Sequence, residues 1–146
     1  IAVASPDYMR GRPVPVTPDA LEDLEGILMR STRSGRVRYW SMRNKAGVEV
    51  PARVRESIVV NDPVAAREAV LLGLGVGFLA VPDVQSWIER GELLRLVPDW
   101  YADAGTISMY FATRALMPAK TRAFIDFVSE AFEQRQLARR FSGSEG

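Results

Sequence analysis

Residues 59–82 read VVNDPVAAREAVLLGLGVGFLAVP, and the order of signals within them decides the fold. An apolar β-branched run ends at Val60. Asn61 or Asp62 is suited to cap a helix, and Pro63 to occupy its first turn. The spacing predicts a helix over 63–72 that Gly73 ends, then a strand through VGFLA at 76–80. A second helix is predicted over about 82–90, with Val84, Trp87 and Ile88 on one face and Gly91 as its stop. Strand, helix, strand, helix is the order of an α/β sheet.

The three glycines at 73, 75 and 77 invite a nucleotide reading, which their context excludes. A dinucleotide fingerprint is G-x-G-x-x-G, follows a strand and opens a helix, so that the pyrophosphate meets the helix N-terminus. Here the spacing is G-x-G-x-G, and a helix precedes the glycines while a strand follows them. No Gly-Lys-Ser/Thr is present. Gly73 instead suits the left-handed residue after a helix, where a Cβ is penalised. Gly75 and Gly77 allow backbone to approach closely, either to a packed helix or to a ligand.

Outward from this centre the α/β pattern continues. Residues 1–5, IAVAS, read as an apolar strand. TPDALEDLEG (17–26) predicts a helix with Thr17 as N-cap, Pro18 in the first position and Gly26 as the stop, followed by a strand over 27–30. RVRYWSMR (36–43) and VEVPARV (48–54) alternate and flank a turn at Asn44–Gly47, which predicts a hairpin whose Pro51 strand lies at an edge. ELLRLV and TISMYFA predict two later strands. A long last helix is expected from Pro118 to about Arg139, with Phe124, Phe127, Val128, Ala131 and Phe132 forming a core-facing stripe. The class is α/β with a mixed sheet.

Composition narrows the chemistry. The 146 residues are 47% apolar and 25% charged, with net charge +1, so no global field points to nucleic acid or a membrane surface. Cysteine and histidine are both absent. Thiol nucleophiles, disulfides, imidazole or thiolate metal sites and a histidine general base are thereby excluded. No run approaches the ~20 apolar residues that a membrane-spanning helix needs. Asp99 and Asp103 have no evident partner that would raise one carboxyl pKa, so an enzyme is not expected. Six bases and no acid occupy 30–45; they suit either a phosphate contact or a solvated strand face. In open α/β sheets ligands gather beyond the carboxyl ends of strands. Two such ends are polar here, RSTRS (30–34) and Asn61–Asp62, and each also serves as a turn or cap.

The segment VVNDPVAAREAVLLGLGVGFLAVPDVQSWIERGELLRLVPDW, followed by SMYFATRALMPAKTRAFIDFVSEAF, resembles the effector-binding domain of LysR-type transcriptional regulators. The upstream IAVASPDYM, TPDALEDLEGILMR and RYWSM fit the same family, so the likeness covers nearly all of 1–141. Ala80, where the family usually has proline, and Met117, where serine commonly caps the last helix, depart from it. The resemblance implies a periplasmic-binding-protein-like fold of two lobes. It assigns 5–104 to the second lobe, and 1–4 with 105–146 to part of a first lobe. The winged helix-turn-helix is absent from this chain, whose opening without methionine reads as the interior of a longer protein.

By the same resemblance, a small-molecule effector, with organic acids as candidates, lies between the lobes. Ser31 and Thr32 are expected as hydroxyl donors and Asn61 as a βα-turn ligand. Gly75, Val76, Gly77 and Phe78 are expected to present backbone N–H groups and an aromatic wall. The expected partners are promoter DNA, through the missing domain, and further copies in a dimer or tetramer. No cofactor, metal or membrane is implied, and the cytoplasm is the expected location. The alternative is a solute-binding protein of a transport system.

Overall fold

Glu25–Arg30 (β2) is the strand around which the larger sheet is arranged. The computed structural model describes residues 1–111 and 117–144. Six strands form this sheet: Ala2–Ala4 (β1), β2, Val37–Arg38 (β3), Arg55–Val60 (β6), Val76–Phe78 (β7) and Leu94–Leu96 (β8). Their order is β3-β2-β7-β1-β8, with β6 also paired to β2. β6 and β7 run parallel to β2, whereas β3 is antiparallel to β2 and β1 to both β7 and β8. Trp40–Asn44 (β4), Glu49–Ala52 (β5) and Trp100–Tyr101 (β9) make a smaller antiparallel sheet, ordered β5-β4-β9. Pro51 therefore lies on an edge strand, where its missing N–H costs no ladder bond.

Side-chain alternation along the strands divides the core into two layers. Ala2, Leu28, Phe78 and Leu96 point to one face and are covered by Met42 and Ala52 of the smaller sheet, by Met9 of the short helix Pro6–Met9 (α1) and by Leu21. Val3, Ile27 and Leu93 point to the other, beneath Val70 of Pro63–Leu71 (α2) and Val84 of Val81–Glu89 (α3). One face thus carries helices and the other a second sheet.

The central helix forms as its sequence directs. Asp62 Oδ1 accepts the Ala65 N–H at 2.9 Å, capping α2. At the other end Gly73 has φ +75°, its N–H donates to Val70 O at 3.0 Å, and Leu74 N–H donates to Ala69 O at 3.1 Å. These two bonds satisfy carbonyls that the helix leaves open. α3 ends in the same way, with Gly91 and Glu92 donating to Ile88 and Trp87 at 2.9 Å. Replacing Asp62 by alanine should cost about 1 kcal/mol in chemical denaturation, and Asp62→Asn much less. Equal losses in both variants would show that the cap bond is not what Asp62 contributes.

Elsewhere the structure corrects the sequence reading. Residues 17–26 form only a single 3-10 turn, Pro18–Leu21, and Thr17 makes no side-chain cap bond. Gly26 does not stop a helix; it lies within β2, where a Cβ would stand 2.3 Å from Val54 Cγ2. Burying both Leu21 and Leu24 overrides the helical pattern of this segment. RVRYWSMR divides at Tyr39, with β3 joining the larger sheet and β4 the smaller. The expected turn does form: Asn44 Oδ1 accepts from Ala46 and Val48 N–H at 3.0 and 3.1 Å, and Gly47 has φ +80°.

Residues 106–111 of TISMYFA form no strand, and Ala112 lies outside the described residues. The last helix runs Ala119–Gln134 (α4), and after Gln136 at φ +50° a short Leu137–Arg140 (α5) follows. Its stripe is not core-facing: Phe124 and Phe127 are 63% and 68% exposed, and no residue of α4 is buried. Phe132 meets Phe141 edge to face at 6.3 Å, joining α4 to α5. Periodicity specifies that a face needs cover, and the part of this face that carries Phe124 and Phe127 is left exposed. Residues 1–4, grouped by the sequence with 105–146, run through the middle of the larger sheet.

The chain leaves the larger sheet at Val97, a buried β-branched residue at φ +45° and next to Pro98. Such a conformation costs on the order of 1–3 kcal/mol. It is held by Val97 N–H donating to Pro15 O and by Val97 O accepting Trp100 N–H, both at 2.9 Å. The turn delivers the chain from β8 into β9.

Candidate functional site

Parallel pairing brings two of the polar strand ends together. Met29 of β2 is level with Val60 of β6, so Ser31 and Asn61 follow adjacent strands at the same edge of the sheet. Ser31 is half-buried, and Thr32 and Asn61 are exposed. The N-terminus of α2 opens beside them. Ala80, beyond the carboxyl end of β7, starts α3 without a side-chain cap, so the first N–H groups of that helix are open too. Two helix N-termini favour negative charge at this edge.

The loop beyond β2 is held by its own hydrogen bonds. Ser31 N–H donates to Arg36 O at 2.9 Å, Gly35 N–H to Ser31 O at 2.8 Å, and Ser34 N–H to Ser31 Oγ at 3.2 Å. The Arg30 guanidinium donates to Gly35 O at 3.0 Å, and Gly35 has φ +69°. Ser31 Oγ is thus an acceptor within the turn, with its own O–H left to donate.

The glycine-rich strand is placed differently. Gly26 pairs with Val76 and Ile27 with Gly77, which sets Gly75 at the amino edge of the sheet, opposite Ser31 and Asn61. Gly75 has φ +153°, and a Cβ there would stand 2.4 Å from Glu25 O. A Cβ on Gly77 would stand 2.6 Å from Val70 Cγ2, so this glycine lets α2 lie close against the sheet. Val76 and Phe78 are buried, with Phe78 in the core layer of Ala2 and Leu96. The structure therefore gathers Ser31, Thr32 and Asn61 at one edge and does not bring Gly75 to it. The carboxyl end of β7 at that edge is Leu79–Ala80. Strand direction relative to β2, which a single sequence does not state, was the signal needed to choose Ala80 over Gly75.

The carboxylates are engaged elsewhere. Asp103 accepts from Arg43 at 3.0 Å and from Gly105 N–H at 2.9 Å. Burial lowers the Arg95 pKa, while the Asp99 carboxylate partly offsets this. No group of three or more acidic side chains among the described residues is arranged to hold a metal ion. No helix of the described residues is long and apolar enough to cross a membrane. Two shallow hollows, one around Arg38, Trp40 and Asp103 and one around Ser5, Glu68 and Trp87, include none of Ser31, Thr32 or Asn61. The polar edge is an open wall.

Comparison with known proteins identifies this wall's setting. The LysR substrate binding domain family matches residues 1–133. The HTH-type transcriptional regulator PtxR of Pseudomonas aeruginosa is 33% identical over 133 residues, covering 89% of this chain and 41% of PtxR. YcaN of Escherichia coli, also an HTH-type transcriptional regulator, is 28% identical over 125 residues, covering 86% of this chain and 40% of YcaN. The chain thus spans about 40% of such relatives. The regulatory domain of AphB from Vibrio vulnificus superposes with a TM-score of 0.67 at 26% identity, covering 89% of this chain and 62% of that domain. The CrgA regulatory domain of Neisseria meningitidis has the same TM-score, 0.67, at 22% identity and supports the fold. These relatives are regulators, which sets aside the transport alternative. The chain belongs to the LysR substrate-binding-domain family, with its periplasmic-binding-protein-like fold.

Proposed function

We propose that this domain binds a small organic acid between two lobes and couples that binding to promoter recognition by a helix-turn-helix elsewhere in the protein. The observation that carries the reading is the shared edge of Ser31, Thr32 and Asn61, flanked by the open N-terminus of α3 and the start of α2. This edge supplies hydroxyl, amide and backbone donors, alongside one carboxylate in each helix start, Asp62 capping α2 and Asp83 in the first turn of α3. Residues 5–104 form the second lobe, together with β1, which is inserted between β7 and β8 of its sheet. Residues 105–146 contribute to the first, whose remaining cover for Phe124 and Phe127 comes from parts of the relatives that this chain does not span. The effector must bind one lobe arrangement better than another, since equal binding shifts no equilibrium. A tenfold bias requires about 1.4 kcal/mol, within reach of one or two hydrogen bonds.

The domain is a sensor and not an enzyme. It works in the cytoplasm as part of a homo-oligomer, a dimer or tetramer. A thermal-shift screen of small carboxylates and aromatic acids on the complete regulator tests the reading. Thr32→Ala and Asn61→Ala should each weaken a hit by about tenfold while leaving the unliganded midpoint in place. Unchanged affinities in both variants would move the site away from this edge.

A further inference from the structure

Unpaired cations occur at several places among the described residues, Lys45, Arg53, Lys120, Arg122 and Arg135 included, but one loop holds two of them, Arg33 and Arg36. Arg10, Arg43, Arg55, Arg67, Arg90 and Arg140 each pair with a carboxylate. Arg12 lies over the Tyr8 ring and Arg38 over Trp40. Arg33 and Arg36 are exposed and have neither an ion pair nor an aromatic face among the described residues. Both belong to the loop after β2, at the edge that also carries Thr32 and Asn61. Of the acids at the two helix starts that flank this edge, Asp62 is occupied in capping α2, and Asp83 lies in the first turn of α3.

Two unpaired guanidinium groups on one loop have a chemical consequence. A guanidinium offers donors in a planar fork that matches carboxylate and phosphate oxygens. The hydrogen bonds that lace residues 30–36 fix the backbone from which the two side chains project, so less ordering remains to be done on binding. We propose that Arg33 and Arg36 are specificity-determining residues of the effector site and select a ligand bearing a carboxylate or phosphate group. The inference rests on the effector reading above and adds to it the residues that choose charge.

Succinate and inorganic phosphate, each titrated into the complete regulator, test it, with succinamide as the neutral counterpart. At least one anion should raise the melting midpoint while succinamide does not, and its affinity should fall with rising salt. Arg33→Gln and Arg36→Gln should each weaken that anion about tenfold. Arg53→Gln, an exposed change at the opposite edge of the sheet, should leave it unchanged; all three variants should keep the unliganded midpoint. Response to succinate but not phosphate assigns the anion as a carboxylate, and the reverse assigns it as a phosphate. Equal binding of succinamide, anion affinities indifferent to both arginines, or no response to either anion would each overturn the inference. A neutral ligand weakened by Thr32→Ala or Asn61→Ala but not by the arginine variants would leave the effector site standing and remove only its charge selectivity.

Discussion

Gly75→Ala should destabilise the domain by about 3 kcal/mol or more, enough to leave much of it unfolded at moderate temperature. Two effects add. The residue has φ +153°, which a side chain strains, and the new Cβ would meet Glu25 O at 2.4 Å. The obstacle is a backbone carbonyl in β2, not the flexible end of a side chain. Relief would require β2 and β7 to part where Gly26 pairs with Val76, at the centre of the larger sheet. Gly35→Ala is the internal control. Gly35 also has positive φ, at +69°, but nothing lies within 4 Å of its absent Cβ, so about 1 kcal/mol is expected. Urea denaturation of the two variants measures the difference. A Gly75→Ala loss no larger than that of Gly35→Ala would show that β2 and β7 are not packed as closely as described.

Met42→Ala is expected to cost about 2–5 kcal/mol, whereas Met42→Leu should cost less than about 1.5 kcal/mol. Met42 is fully buried, although the strand that carries it belongs to the smaller sheet. It joins Leu21, Leu96 and Val97 in one core layer, so truncation leaves a cavity between the two sheets. Leucine keeps the volume. The flanking strand residues Ser41 and Arg43 are exposed, which makes Met42 and Ala52 the main anchors of the small sheet. Denaturation midpoints followed by tryptophan fluorescence, to which Trp40 and Trp100 of this sheet contribute, read the loss. Alanine and leucine variants of equal stability would mean that the small sheet is held by its backbone pairing alone.

Particular elements show where the sequence was legible. The signals of α2 are all local, a capping Asp62, a first-turn Pro63 and a left-handed Gly73, and the helix forms between them. The hairpin turn at Asn44–Gly47 is likewise chemistry within a few residues. TPDALEDLEG has equally good local signals but forms only one turn, because Leu21 and Leu24 are drawn into a core that distant strands build. Phe124 and Phe127 fit a helical stripe, but a stripe carries no information on what covers it.

The candidate site divides in the same way. Ser31, Thr32 and Asn61 could be picked out as polar residues at strand ends, and the α/β order with its motif sequence sufficed for the family. Their meeting at one edge depends on β2 and β6 being parallel neighbours in register, a pairing between residues about thirty apart. Gly75 illustrates the converse. Its sequence context allowed either close packing or ligand contact, and the direction of β7 against β2 places it beside Glu25. Local propensity, capping and periodicity act over a few residues, so the sequence alone determined the limits of α2 and α3, the Asn44–Gly47 turn chemistry and the α/β class. Strand order and register are set by which apolar faces can be buried together across the whole chain. Only the tertiary structure could decide which strand ends share an edge, and where the unpaired arginines stand relative to it.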